Sequence, residues 1–239
     1  SVAVGYEAGR FATGSANTFV GFEAGYGGQG SAPFSSGVSN TALGYEALKS
    51  FTTANNNVAI GYQALDAITA GNNNVAVGDQ ALSSIAVGEH SNVAIGRYAM
   101  RNMDEGTAGG DINGNIAIGY DAFKGGDLAG DDRQINYNIA IGMYALDATN
   151  TNAHTGTIAI GFNALGSCTS GTQNIAIGYE ALAAQTTGGQ NIAIGENALL
   201  DLNHVNGNYN IAIGYNAGRS MGAANVYSCI LIGRQAGYS

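Results

Sequence analysis

Tryptophan is absent from this chain of 239 residues, proline occurs once, and lysine and arginine together fill only eight positions. Each shortage excludes something. Eight scattered cations against 17 Asp and Glu leave a formal charge of −9, whereas binding a phosphate backbone needs clustered Lys and Arg. Nucleic acid is therefore excluded as a partner, and an anionic membrane surface is disfavoured on the same ground. No apolar run approaches the roughly 20 residues that span a bilayer as a helix, so membrane insertion is not expected. Cys168 and Cys229, the two cysteines, fall in different repeats and make no disulfide framework. Bulky apolar residues are also scarce. The hydrophobic fraction is 45%, but much of it is alanine, which fits a thin, regular core of Ile and Val against Ala and Gly.

Catalytic constellations are missing too. His90, His154 and His204 lie in separate repeats, none beside a Cys or Ser in a nucleophile motif. No H-E-x-x-H, P-loop or dinucleotide fingerprint occurs, and no cofactor or metal is expected. The Gly-x-x-Ala units precede no helix, so they are turns rather than phosphate cradles. A carboxylate pair in a groove between chains would be the one route to glycosidase chemistry; the expectation is a protein that is not an enzyme.

What is present is a repeat, N-[IV]-A-[IV]-G-x-x-A-L, running from one end of the chain to the other. Its glycine stands at Gly5, Gly21, Gly44, Gly61, Gly78, Gly96, Gly119, Gly142, Gly161, Gly178, Gly195, Gly214 and Gly233, at spacings of 16 to 23 residues, with a short additional half-unit at Gly88. Periods of this length mark stacked architectures. The expectation is a single repeat domain, 1–239, of about 13 β-coils, all-β, and part of a longer fibre. One coil cannot bury enough apolar surface to stand alone, so stability must come from stacking.

The columns of the repeat have separate meanings. Asn stands four residues before the glycine in ten copies, from Asn17 and Asn40 to Asn191 and Asn210. It suits a turn into a strand, and in coils about 4.8 Å apart the amides can bond to one another as a ladder. The next three residues alternate large, small, large, which is a strand. The large Ile and Val positions are read as filling the coil. The small one is Ala59, Ala76, Ala94, Ala117, Ala140, Ala159, Ala176, Ala193 and Ala212; it is read as facing outward against a close neighbour, a second copy of the chain, with Phe19 and Leu231 as exceptions near the ends. A monomeric solenoid with an exposed alanine-rich strand is the alternative. After the glycine comes an aromatic column (Tyr6, Phe22, Tyr45, Tyr62, Tyr120, Phe162, Tyr179, Tyr215), read as rings that pack on one another in register, with sugar stacking as the second reading. The Ala-Leu pair that follows is expected to open a second, shorter strand with Leu48, Leu65, Leu82, Leu146, Leu165, Leu182 and Leu199 pointing inward.

The segments Asn57-Val-Ala-Ile-Gly-Tyr-Gln-Ala-Leu65, Asn174-Ile-Ala-Ile-Gly-Tyr-Glu-Ala-Leu182 and Val87-Gly-Glu-His-Ser-Asn-Val-Ala-Ile-Gly96 resemble the head repeats of trimeric autotransporter adhesins. They look closest to the longer variant in phage tail-fibre proteins that carry a self-cleaving C-terminal chaperone. The resemblance covers essentially the whole chain. It implies a left-handed parallel β-roll, homotrimeric around a common axis, located in a virion tail fibre or, alternatively, on a bacterial cell surface. The coils here are longer and less even than in adhesin heads, and no chaperone segment is present.

Function is expected in the long connections, 26–39, 101–114 and 124–137, since loops tolerate insertion and carry binding residues. The last two belong to successive coils and should stack into one patch holding Arg101, Asp104, Glu105, Asp111, Lys124, Asp127, Asp131, Asp132, Arg133 and Tyr137. The expected partner is a host-surface glycan or protein receptor, met three times around the fibre. The carboxylates are compatible with Ca²⁺, but neither the EF-hand nor the glycine-aspartate spacing is present, so no metal is assigned. A monomeric ice-binding solenoid remains a different class of reading, lowered by the lack of a Thr-x-Thr array.

Overall fold

The computed structural model describes residues 1–28, 34–85, 88–103, 111–125, 134–148, 154–202, 207–221 and 227–237. The chain is an all-β parallel solenoid. Thirteen three-residue strands, from Val2–Val4 to Ile230–Ile232, form one sheet in which each hydrogen-bonds to the next coil's strand. The pairing is parallel and column-true: Ala59 lies opposite Ala76, Ala76 opposite Ala94, and Ile139 opposite Ile116 and Ile158. A second, three-stranded sheet joins Asp111–Asn113, Gln134–Asn136 and His154–Thr155, just ahead of Asn115, Asn138 and Thr157 in their coils. Gly88 opens no coil of its own. The sheet passes directly from Val75–Val77 to Val93–Ile95, and residue 90 only bridges Asn72.

Three sequence positions bend each coil. The motif glycine sits near φ +134°, a region closed to side chains, and a Cβ at Gly119 would stand 2.6 Å from the Gly142 carbonyl oxygen of the next coil. The residues two and four after it lie in the left-handed region, as at Gln63 (φ 49°) and Leu65 (φ 54°). The Ala-Leu pair is therefore a turn and not the second strand expected from sequence, although its leucines are fully buried as anticipated. A third left-handed residue precedes the Asn column, or Thr157 where threonine replaces it; the position is occupied by Gly114 and Gly156 but also by Tyr137 and Tyr209.

The inside of the coil holds the opposite strand face from the one expected. Ala59, Ala76, Ala94, Ala117, Ala140, Ala159, Ala176, Ala193 and Ala212 are 0% exposed within their own chain, while the flanking Ile and Val are half-buried or exposed. The reason is volume. Leucines entering from the turn already fill the thin interior, and a close-packed core leaves room only for a methyl group. The end coils show the same constraint reversed. Phe19, buried to 1%, replaces the alanine where Gly9 and Gly25 replace the leucine, and a Cβ at either glycine would strike the Phe19 ring. Leu231 does the same against Gly218 and Gly237. These two exceptions thus compensate volume across the coil rather than mark a diverging neighbour.

Candidate interface and binding surfaces

Turning alanine inward turns Ile and Val outward. Eleven of the thirteen strands of the long sheet carry two such residues on the outer face, Thr18–Val20 carries one and Thr41–Leu43 has leucine, so a double apolar ridge runs along the sheet for roughly 60 Å at the stacking distance of parallel strands. Parts of it are strongly exposed: Val2 55%, Leu43 47%, Ile95 38%, Ile230 69%. Only Thr18 and Thr41 interrupt it with a hydroxyl. A contiguous apolar stripe along a whole sheet is the kind of surface that marks an association face.

Behind the ridge the coils are fastened by the asparagine ladder. Each buried Asn Oδ1 accepts from the backbone N–H and from Nδ2 of the next Asn, as Asn57 Oδ1 does from Asn74 at 2.9 and 3.2 Å. Each Nδ2 also donates across the coil, as Asn57 does to the Gly71 carbonyl at 2.9 Å. Every amide thereby satisfies backbone that would otherwise be orphaned. Thr157 interrupts the ladder: its N–H donates to Asn138 Oδ1 at 2.9 Å, but its buried hydroxyl has no partner and offers Asn174 nothing. A second polar ladder went unread in the sequence. Val38 N–H donates to Asn55 Oδ1, Asn55 to Asn72 Oδ1, Asn72 to His90 Nδ1, His90 to Asn113 Oδ1 and Asn113 to Asn136 Oδ1, at 2.7 to 3.1 Å. Its signal is the Asn-x-Asn spacing at 55–57, 72–74, 113–115 and 136–138.

The aromatic column packs as rings in register. Tyr6, Phe22, Tyr45 and Tyr62 stack successively at 5.0 to 5.3 Å, and Phe162 stacks on Tyr179 at 5.2 Å. Beside the first of these stacks, Lys49 donates to Glu23 at 2.8 Å and to Glu46 at 2.6 Å. Those two bonds raise the lysine's pKa further. In Glu46 burial pushes upward, but bonds from Lys49 and Gln63 outweigh it and hold the carboxyl below its usual range. At Asp66 burial outweighs the help from backbone N–H groups and from the Lys49 charge. Burial, with the Glu46 charge nearby, pushes it up to about 6, and its Oδ1 is buried without a partner.

Of the loop residues expected to bind, four are described. Asp111 is exposed at the start of the short sheet and pairs with Gln134, and Tyr137 is 70% exposed beside Gly114. Arg101 lies over the Tyr98 ring at 4.4 Å, and Lys124 stands 3.8 Å from Asp121. The C-terminal ends of the two long connections are thus brought side by side. Asp104, Glu105, Asp127, Asp131, Asp132 and Arg133 lie outside the described residues, as does the middle of 26–39. Among the described residues no three His, Cys, Asp or Glu side chains gather as a metal site, and no helix is long and apolar enough to cross a membrane.

His154 and Cys168 are buried titratable groups of a different kind. His154 is fully buried in line with Ile112 and Ile135, its Nε2 at 3.0 Å from the Thr169 carbonyl, and burial lowers its pKa. Burial pushes the Cys168 thiol up to about 11, which disfavours the nucleophilic thiolate, and neither cysteine is in a disulfide. Comparison with protein-family models, with curated proteins and with solved structures gave no match.

Proposed function

We propose that the chain is a structural and adhesive module of a homotrimeric fibre, three parallel copies of a left-handed β-roll around a common axis, most consistent with a phage tail fibre and alternatively with the head of a bacterial adhesin. It is a non-catalytic module that meets a host-surface glycan or receptor through its long loops. The observation that carries this reading is the apolar ridge of Ile and Val, half-buried to exposed on the single chain and broken only by Thr18 and Thr41. Burying such a ridge is the dominant available driving force for association, and copies in parallel would align identical residues coil by coil. The repeat resemblance supplies the number three and the handedness. Sedimentation equilibrium or light scattering tests the proposal. A molar mass three times 24.1 kDa supports it, and the mass of one chain overturns it in favour of a monomeric solenoid with a binding face. Deleting 101–114 and 124–137 from the assembled protein should abolish cell binding while leaving the mass per assembly at three chains.

A further inference from the structure

In two runs, Tyr6 to Tyr62 and Phe162 to Tyr179, the rings of the aromatic column stack face to face at interplanar angles of 5 to 14°. The arrangement changes after Gly96. There the ring shifts by one residue in alternate coils, giving Arg97-Tyr98, then Tyr120, then Met143-Tyr144, then Phe162. The rings zigzag over two columns and turn against each other, Tyr98 on Tyr120 at 55°, Tyr120 on Tyr144 at 88° and Tyr144 on Phe162 at 79°. An edge-to-face pair covers a face of one ring only, where a stacked pair covers a face of both. This stretch therefore breaks the face-to-face order kept by the stacked rings, with Tyr98 and Tyr144 half-buried and Tyr120 36% exposed.

Two guanidinium groups stand at the same place. Arg97 lies 4.3 Å and Arg101 4.4 Å from the Tyr98 ring centre, contacts that hold both side chains in position. Arg97 donates Nε to Asp79 at 3.2 Å and Nη2 to the Tyr98 hydroxyl at 2.6 Å, which uses two of its five donors. Arg101 makes its ring contact and no ion pair among the described residues. In a chain of charge −9, two planar forks held on one tyrosine ring are a local exception. A guanidinium fork matches a carboxylate in two-point geometry, and an aromatic face takes the C–H face of a ring.

We infer that Arg97, Tyr98 and Arg101, flanked by Tyr120 and Tyr144, bind a carboxylate-bearing sugar unit of an acidic surface polysaccharide. The inference rests on the reading of this protein as a glycan-contacting fibre and names the class of glycan. Its place fits, since Arg101 and Lys124 are the first residues of the two long connections.

The test is calorimetric titration of the full chain, in its solution oligomer, with oligogalacturonate, oligoglucuronate and oligosialate, and with neutral oligogalactose of matched length. At least one acidic oligomer should bind about tenfold or more tighter than the neutral one, with affinity falling as salt is raised. Arg101→Gln, which removes the fork with no ion pair among the described residues, should weaken that binding about tenfold, while circular dichroism and molar mass stay unchanged. No binding by any acidic oligomer, equal binding of the neutral one, or full affinity in Arg101→Gln would each overturn the site. The molar mass of the same samples separates the two proposals. A trimer without acidic-glycan binding removes this site and leaves the fibre, whereas a monomer that binds acidic glycan removes the fibre and keeps the site.

Discussion

A coil of this solenoid is shaped by single residues held in unusual backbone regions, and those positions differ in what they tolerate. Gly119, at φ +137° with the Gly142 carbonyl 2.6 Å from where a Cβ would sit, has neither the conformation nor the space for a side chain. Gly119→Ala should lower stability by on the order of 3 kcal/mol, measured as a shift in denaturant midpoint. Gly156 lies at φ +67° with its nearest foreign atom 3.9 Å from a built Cβ. Gly156→Asn should therefore stay within about 0.5 kcal/mol, because Asn visits that region readily. Titration adds a second residue-scale prediction. Asp66 is raised in the folded chain to about 6 from 3.8, so between those values the native state holds more protons than the unfolded one. Stability contributed by this group is full below about pH 4 and lost as pH rises through 6. Melting temperatures should climb on acidification through that window, and Asp66→Asn should flatten this segment of the profile.

At the scale of the coil, the exchange of volume between strand and turn is open to a double-mutant cycle. Phe19→Ala should open a cavity and cost about 3–5 kcal/mol. Gly25→Leu should also destabilise, since even a Cβ there would meet the Phe19 ring. The double variant restores the Ala-Leu pairing of coils such as 59–65, where leucine sits at φ 54° against 56° for Gly25, and should recover most of both losses. Additive losses would mean that the two positions do not share one space. Part of this was legible beforehand. Phe19 and Leu231 stood out as exceptions, and Gly9, Gly25, Gly218 and Gly237 stood out as replaced leucines, but only packing ties the two sets together. The asparagine ladder was legible in full from its column and the stacking distance. Its companion at Asn55, Asn72, His90, Asn113 and Asn136 was not, because His90 and variable loops disturb the alignment there.

On the scale of the whole molecule, the outer ridge decides what the protein assembles into. Ile177 faces outward between Ile160 and Ile194 and takes no part in its own coil's buried core. Ile177→Glu would place like charges together wherever copies meet on this face, and burying unpaired charge is costly. The expected result is a fall in molar mass toward that of one chain, with the far-ultraviolet β signature kept. An unchanged mass would remove the ridge from the interface. A lower mass together with lost β signal would show instead that the coil cannot stand without its partners, which is the behaviour of obligate oligomers.

The sequence by itself determined the repeat, the parallel stacking of equal columns, the three-residue strands, the turn glycines and the inward leucines. Regular spacing and residue size carry that information directly, since each column must satisfy the same local geometry in every coil. It did not determine which side of the strand faces in. Alternation of Ile, Ala and Ile defines two faces equally well in either orientation, and the assumption that bulk belongs inside assigned them the wrong way round. Only the closed coil decided the matter: leucine from the turn and alanine from the strand share one narrow interior, and the clash of a Gly25 Cβ with the Phe19 ring shows that strand and turn side chains compete for it. The same closure threw the Ile and Val ridge outward and set Arg97 and Arg101 over the ring of Tyr98, across a turn whose left-handed residues no local pattern announces.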